Sequence, residues 1–269
     1  MNLSQRKLLL TGASSGIGRA TALRLAAEGC ELVIAGRNQL ELYDLKNELE
    51  EYGGKAHVLV ADLGDPEQAS NLVSAAIERA GFLDGLVNVA GVTSFSLAEN
   101  QDPQELSAMV TLNLTAPMIL SGALIPHLRR RGGGLIANVG SIFGSIGFPC
   151  FASYSATKFG VRGFSQALRR EVADDNIRVI YVAPRATRTP LAAVFSRMAS
   201  AVKMPMDAPE RVARCLVHAL KKERKETYIG FPEGLFVRLN NRWPGLIDGP
   251  VKSQGRKMKP YAMEAAASS

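Results

Sequence analysis

Three leucines, Leu8 to Leu10, run straight into Thr11-Gly12-Ala13-Ser14-Ser15-Gly16-Ile17-Gly18, and Ala20, Leu23 and Ala27 follow at helical spacing. Period and punctuation together predict a strand, a glycine-rich turn and a helix from Gly16 to Glu28, stopped at Gly29. The unit constrains the chain strongly because it recurs. Leu32 to Ala35 predicts a second strand, Gln39 to Tyr52 a second helix ended by Gly53-Gly54, and Ala56 to Val60 a third strand. Pro66 opens the next helix at a position where its missing N–H costs nothing. Leu83 to Val89 predicts a fourth strand and Pro103 to Leu128 a long helical region. Leu135 to Val139 and Arg178 to Val182 are two more strands, with a helix from about Ser153 to Val172 between them. These strands are near-continuous aliphatic runs, so both faces of the sheet are covered. Repeated β-α units with right-handed crossovers then give an α/β, doubly wound parallel sheet with helices on both faces.

A length of 269 residues fits one large domain of this class, and no linker or internal repeat divides it. With 46% hydrophobic and 21% charged residues, an intrinsically disordered chain is excluded. Cys30, Cys150 and Cys215 are odd in number and far apart, without a C-x-x-C or Cys/His cluster. Neither a disulfide framework nor a metal site is expected, and the usage suits a reducing cytoplasm. The N-terminal leucine run is too short for a signal peptide. No stretch reaches 18 apolar residues, and Leu114 to Ile125 carries Pro117 and Ser121 inside it. Beyond Val182 the rhythm changes. Pro190 to Met206 is an apolar, methionine-containing stretch, Pro209 to Lys222 a further amphipathic helix, and Tyr228-Ile229 a short last strand. A catalytic unit over 1–230, with a lid at about 188–208, is therefore followed by a basic extension over 231–269. Its last residues, 265–269, are expected to be disordered.

Glycines between the first strand and first helix let the backbone approach a pyrophosphate, and the helix N-terminus supplies free N–H groups. Gly12, Ser14, Ser15, Gly16, Ile17 and Gly18 are the residues so placed, in a G-x-x-x-G-x-G spacing. When NAD is used, a carboxylate at the end of the second strand usually accepts the adenosine ribose hydroxyls. Here that place reads Ala35-Gly36-Arg37-Asn38. Arg37 can clamp a 2′-phosphate through its planar fork, the alternative being a solvated loop arginine. NADP(H) is thus expected in preference to NAD(H). Asp62, beside Leu63 after the third strand, either meets the adenine amino group or caps the following turn.

Tyr154 and Lys158 stand four apart on a predicted helix and share a face, and Ser141 ends the fifth strand. Reducing a carbonyl needs a hydride to carbon and a proton to the developing alkoxide. A tyrosine hydroxyl, ordinarily near pKa 10, is a suitable donor if a nearby ammonium lowers that value. Lys158 is the candidate for that and for holding the nicotinamide ribose. Ser141 can hydrogen-bond the substrate oxygen. A lone Tyr/Lys pair is also a common surface pair.

Together these residues resemble the short-chain dehydrogenase/reductase family in its short, single-domain form, over roughly residues 5–230. The Thr11-to-Gly18 segment looks like the family's cofactor turn and Asp62 like its adenine contact. Asn88-Val89-Ala90-Gly91 is similar to its N-N-A-G motif, which implies that Asn88, Ala90 and Gly91 meet the cofactor, and Asn113 falls where the family has a catalytic asparagine holding a water in a proton relay to the lysine. Ser141, Tyr154 and Lys158 complete the family's tetrad. The resemblance implies a Rossmann-type fold, an NADP(H)-linked oxidoreductase, and homodimers or homotetramers. The family's P-G-x-V-x-T segment reads Pro184-Arg185-Ala186-Thr187-Arg188-Thr189 here. Thr189 and the Thr187 backbone are still expected to meet the nicotinamide carboxamide. Arg185, replacing the glycine, either contacts a polar group of the substrate or points to solvent.

Phe143, Ile146, Phe148, Cys150 and Phe151 lie between Ser141 and Tyr154, and the lid adds Leu191, Val194, Phe195, Met198, Met204 and Met206. In the family the first of these segments flanks the substrate. The expected substrate is a lipophilic ketone, aldehyde or secondary alcohol, although many of these residues can equally pack the core. Arg129-Arg130-Arg131 either docks an acidic acyl-carrier protein, as in the family's 3-oxoacyl-carrier-protein reductases, or complements a helix C-terminus. A third reading is an NADP(H)-binding sensor or scaffold, but no tetrad residue is missing. No motif supports nucleic acid.

Of the net charge of +7, residues 221–260 carry ten Lys/Arg against four Asp/Glu, or +6. The basicity is concentrated in the C-terminal part of the chain, and in the extension Leu235, Phe236, Leu239 and Trp243 fall at helical spacing beside Arg238 and Arg242. Two readings follow: an interfacial helix with a polybasic tail giving peripheral membrane contact, or an arm packed over its own or a neighbouring subunit's pocket.

Overall fold

The structure, a computed structural model, describes residues 1–267. Seven strands, β1 (Lys7–Thr11), β2 (Glu31–Gly36), β3 (Lys55–Val60), β4 (Gly85–Asn88), β5 (Gly134–Val139), β6 (Ile177–Pro184) and β7 (Glu226–Ile229), form one parallel sheet. Their order is β3-β2-β1-β4-β5-β6-β7. The order reverses between β1 and β4, and at such a switch point the strand ends open a crevice for ligands. The helices of the repeating units are α1 (Gly16–Ala27), α2 (Gln39–Glu51), α3 (Pro66–Ala80), α4 (Pro103–Val110), α5 (Ala116–Arg130) and α6 (Ala152–Glu171). Then come α7 (Ser196–Ala201) in the lid, α8 (Pro209–Lys221), and α9 (Glu233–Arg242) and α10 (Gly245–Ala267) in the extension.

Both sheet faces are dry. Leu8, Leu10, Leu32 and Ile34 pack against Leu25 and Leu216 on one side, while Leu9, Val33, Leu86 and Ile136 meet Leu72, Leu124 and Leu128 on the other. That is the arrangement of a single doubly wound Rossmann-type domain.

Three features depart from expectation. The region 103–130 is not one regular helix: Thr111–Thr115 forms a π-turn, with the Ala116 N–H donating to the Thr111 carbonyl. An 18-residue window within these 28 residues has a mean hydropathy of 1.7, and the segment is long and apolar enough to cross a membrane by length and composition. Their contacts are with α3, α6 and the sheet, as for a core helix of a folded domain. The extension is the third departure. Its Pro- and Gly-containing sequence forms the 23-residue α10, which continues through Ala267 where disorder is expected; Ser268 and Ser269 lie outside the described residues.

Candidate active site

The turn after β1 needs glycine at two positions for different reasons. Gly12 has φ +67°, and a Cβ there would stand 2.7 Å from the Ala90 backbone. A Cβ on Gly18 would overlap the Gly12 carbonyl oxygen. The first turn of α1 carries no acidic residue, and Ser15 at its N-cap makes no side-chain capping bond. Its N–H groups and positive dipole end are left for an anion. A cleft of about 410 Å³ opens over them, lined by Gly12, Ser14, Ser15, Gly16, Ile17 and Gly18. Arg37, Asp62 and Leu63 form its far end, and Ala90, Gly91 and Thr189 its near end. Arg37 is exposed and makes no ion pair among the described residues. Asp62 Oδ1 accepts from the Gly64 N–H at 2.9 Å, so the side chain both caps its turn and lines the cleft. The donor set and glycine cradle fit a dinucleotide.

Asn88 is placed elsewhere. Its Nδ2 donates to Asn138 Oδ1 at 2.8 Å, and Asn138 donates to Ser165 Oγ at 2.9 Å, all three side chains buried beneath the sheet end. It stiffens β4 against β5 and does not line the cleft, contrary to the cofactor-binding expectation.

Ser141, Tyr154 and Lys158 meet at the C-terminal end of β5, and Lys158 Nζ donates to the Val139 carbonyl at 3.3 Å. Burial pushes Lys158 down to about 8 and pushes the Tyr154 hydroxyl up to about 12, a Ser141 hydrogen bond opposing the latter. The expected lowering of Tyr154 by Lys158 is therefore not found: the ammonium stands 5.7 Å from the ring centroid, and the Ser141 hydrogen bond is what opposes desolvation of the phenolate. Asn113 sits in the π-turn, fully engaged. Its Oδ1 accepts from the Val92 N–H at 2.8 Å, and its Nδ2 donates to the Val92 carbonyl at 2.8 Å and to Thr157 Oγ1 at 3.2 Å. Gly91 lies against the same group; a Cβ there would be 2.9 Å from Asn113 Oδ1 and 3.5 Å from Lys158 Nζ.

Above Tyr154 lies an apolar chamber of about 500 Å³. Phe143 stacks on Phe148 at 4.8 Å and meets the Tyr154 ring edge-on at 6.4 Å, while Phe151 packs edge-on against Phe195 of the lid at 5.4 Å. Pro184, Thr187 and Thr189 line its inner end, and Phe236, Ile247 and Val251 of the extension line its outer wall. Ile17, Val89, Gly91, Val92, Thr189 and Leu191 border both chamber and glycine cleft, so the two are continuous. Arg185 borders the chamber but is neutralised: it forms ion pairs with Asp207 and Glu233. Neither a free cation for substrate nor a solvated side chain describes it.

The short chain dehydrogenase family model matches residues 6–199. The chain belongs to the short-chain dehydrogenase family. A 3-oxoacyl-[acyl-carrier-protein] reductase of Thermotoga maritima is 30% identical over 246 residues, covering 88% of this chain and all of that one. A crystal structure of an actinorhodin polyketide ketoreductase variant with NADPH superposes with a TM-score of 0.77 at 28% identity, covering 84% of this chain and 95% of that one. A Burkholderia phymatum short chain dehydrogenase/reductase in complex with NAD has the same fold, with a TM-score of 0.84 at 21% identity over 91% of this chain and 96% of that one. Membership makes this short-chain dehydrogenase an oxidoreductase.

Two positioning residues of this dehydrogenase escape a reading of its sequence. Thr11 Oγ1 accepts from the Val89 and Ala90 N–H groups at 3.1 and 3.3 Å, tying the β4 end to the glycine turn. Tyr181, wholly buried in β6, donates its hydroxyl proton to the Ser141 carbonyl at 3.1 Å. A tyrosine amid the aliphatics of a buried strand is the one signal of it, since a buried hydroxyl needs a partner.

Proposed function

We propose that the chain reduces the carbonyl of a lipophilic substrate, or oxidises the matching secondary alcohol, with NADP(H) in preference to NAD(H). The observation that carries this is the continuity of an aromatic chamber with the glycine cleft at Tyr154. Gly12, Ser14, Ser15, Gly16, Ile17 and Gly18 would hold the pyrophosphate side, Arg37 a 2′-phosphate, and Lys158, Thr187 and Thr189 the nicotinamide side. Bound there, NADPH supplies the hydride that the carbonyl carbon receives. Tyr154, a neutral phenol at physiological pH that burial raises further, donates its proton to the carbonyl oxygen as negative charge develops there. The Ser141 hydroxyl holds that oxygen. Lys158, still largely protonated near pH 7, would hold the nicotinamide ribose through its ammonium. Asn113 holds the Val92 backbone and the lysine's surroundings in register.

Phe143, Phe148, Phe151 and Phe195 supply the surface on which an apolar substrate is desolvated. NADPH consumption measured across apolar and polar carbonyl series tests the reading. Turnover favouring steroid-like, retinoid-like or long-chain ketones supports it, and preference for small polyols or sugars overturns it. We also assign a homodimer or homotetramer face to Val110, Met118 and Phe159, exposed apolar residues on α4, α5 and α6.

A 3-oxoacyl-carrier-protein reductase is the second reading, favoured by the full-length likeness to the Thermotoga enzyme. Against it, two of the three arginines at the end of α5 are occupied. Arg129 pairs with Asp175 at 2.8 Å, and Arg131 pairs with Asp84 at 3.3 Å while lying over the Phe82 ring. Equal turnover of a 3-oxoacyl thioester with and without a carrier protein would exclude a docking role for them.

A further inference from the structure

We propose that α9 and the first half of α10 form a docking surface for anionic lipid bilayers, beside the mouth of the substrate chamber. The two helices are two-sided. Val237, Ile247, Gly255, Met258 and Ala262 are buried, and Asn240 donates to the Ser145 carbonyl at 3.0 Å, so one side seals the chamber. On the other side Leu235, Trp243 and Leu246 are 48, 55 and 64% exposed. Monomeric surfaces rarely leave aromatic and aliphatic side chains clustered in this way. Spacings of i,i+7 put Leu235 in line with Arg242 and Phe236 in line with Trp243 on neighbouring stripes of α9, and the Arg242 guanidinium stands 5.7 Å over the Trp243 ring.

The same two helices carry six cations. Arg238, Arg242, Lys252, Arg256, Lys257 and Lys259 are exposed, and none forms an ion pair among the described residues. Of the three acids in the extension, Glu233 is spent on Arg185 and Glu264 on Arg197, leaving Asp248. An amphipathic, aromatic-bearing element with several free cations complements an anionic headgroup layer. A second copy of the chain complements it poorly, because a two-fold contact sets each patch against itself and cation against cation. Position adds a functional reason. Phe236 and Leu191 line the chamber and are also exposed, so a lipophilic molecule can pass from bilayer to pocket along apolar surface.

The chain holds one tryptophan, so Trp243 reports directly on its own surroundings. The full-length protein is titrated with vesicles of phosphatidylcholine alone and of phosphatidylcholine with phosphatidylserine, following Trp243 emission and co-sedimentation. Expected are a blue shift and pelleting with the anionic vesicles only, both reversed by high salt. The triple variant Arg238→Gln/Arg242→Gln/Lys252→Gln should bind about a hundredfold more weakly, at roughly a factor of five per cation removed. Leu246→Ser should weaken binding and reduce the blue shift. Unchanged nucleotide binding verifies that each variant is folded, and the vesicle readout does not depend on any substrate assignment. Absence of binding to anionic vesicles overturns the proposal. So does binding that ignores the three cations, and so does a Leu246→Ser variant whose main effect is a smaller sedimenting mass, which would assign the patch to self-association.

Discussion

Arg185 reaches the buried carboxylate of Asp207 through both Nε and Nη2, at 3.1 and 2.9 Å. Asp207 ends the lid, and its backbone N–H donates to the Ala186 carbonyl while its own carbonyl accepts from Arg188. The two residues therefore close the neck of the lid. Arg185 Nη1 extends the clamp to Glu233 at the start of α9, at 3.0 Å. A bidentate guanidinium fits this role where a lysine would not. Replacing Arg185 by Leu leaves Asp207, 2% exposed at its side chain, with only the half-exposed Arg211. Removing one partner of a buried pair costs about 3 kcal/mol. Urea denaturation should show a loss of that size. The KM for the carbonyl substrate should rise more than kcat falls, because the lid is loosened and Tyr154 is not moved.

Arg37 stands at the far end of the glycine cleft with no carboxylate engaging it. A charge-assisted hydrogen bond contributes about 1.5–3 kcal/mol, or a tenfold to hundredfold change in affinity. Arg37→Ala should weaken NADPH by that factor and leave NADH nearly unchanged. An unaltered NADPH/NADH ratio of kcat/KM would show that Arg37 does not read the 2′-phosphate.

Much of this was legible in the chain because glycine and aliphatic periodicity report backbone requirements directly. Gly12 and Gly18 mark close backbone approaches, and the strand runs mark a sheet covered on both faces. Side-chain allegiance is less visible. Asn88 lies in a motif of the cofactor region yet bonds to Asn138, a residue fifty positions away. Arg185 reads as a free cation until the fold brings Asp207 and Glu233 to it. The α10 helix was hidden by Pro250 and Pro260, which read as breakers. Its signal was the apolar seam Ile247, Val251, Met258 and Ala262, spaced for one helix face. The pKa of Tyr154 was hidden for a different reason: Lys158 is visible in sequence, but the depth of burial that raises the tyrosine is not.

Tyr154→Phe removes the proposed proton donor while keeping the ring that meets Phe143. General acid catalysis is worth about 10²–10⁴ in rate. The variant should lose kcat by that factor while binding NADPH as the wild type does, measured by quenching of protein fluorescence. Retained turnover would place the proton donor elsewhere, and undiminished binding with no wild-type turnover of any carbonyl would favour the sensor reading.

Lys158 makes activity and stability depend on pH in opposite ways. Burial holds it at about 8 in the folded chain against 10.5 when exposed. Between these values the unfolded chain binds more protons than the folded one, so this residue's contribution to stability rises as pH increases from about 8 to 10.5. Below about 8 both states carry the proton, and the full penalty of burying the charge applies, on the order of 3 kcal/mol. Lys158→Met should thus be inactive yet more stable than wild type at pH 7, with the advantage shrinking by pH 10. Denaturant titrations of both proteins at the two pH values measure the difference, from which all other titrating groups cancel. In the wild type, kcat/KM with the nucleotide varied reports the free enzyme, and its alkaline limb should fall near pH 8 as the ammonium loses its proton. A variant whose stability advantage is the same at both pH values would show that Lys158 is not carried as a buried cation.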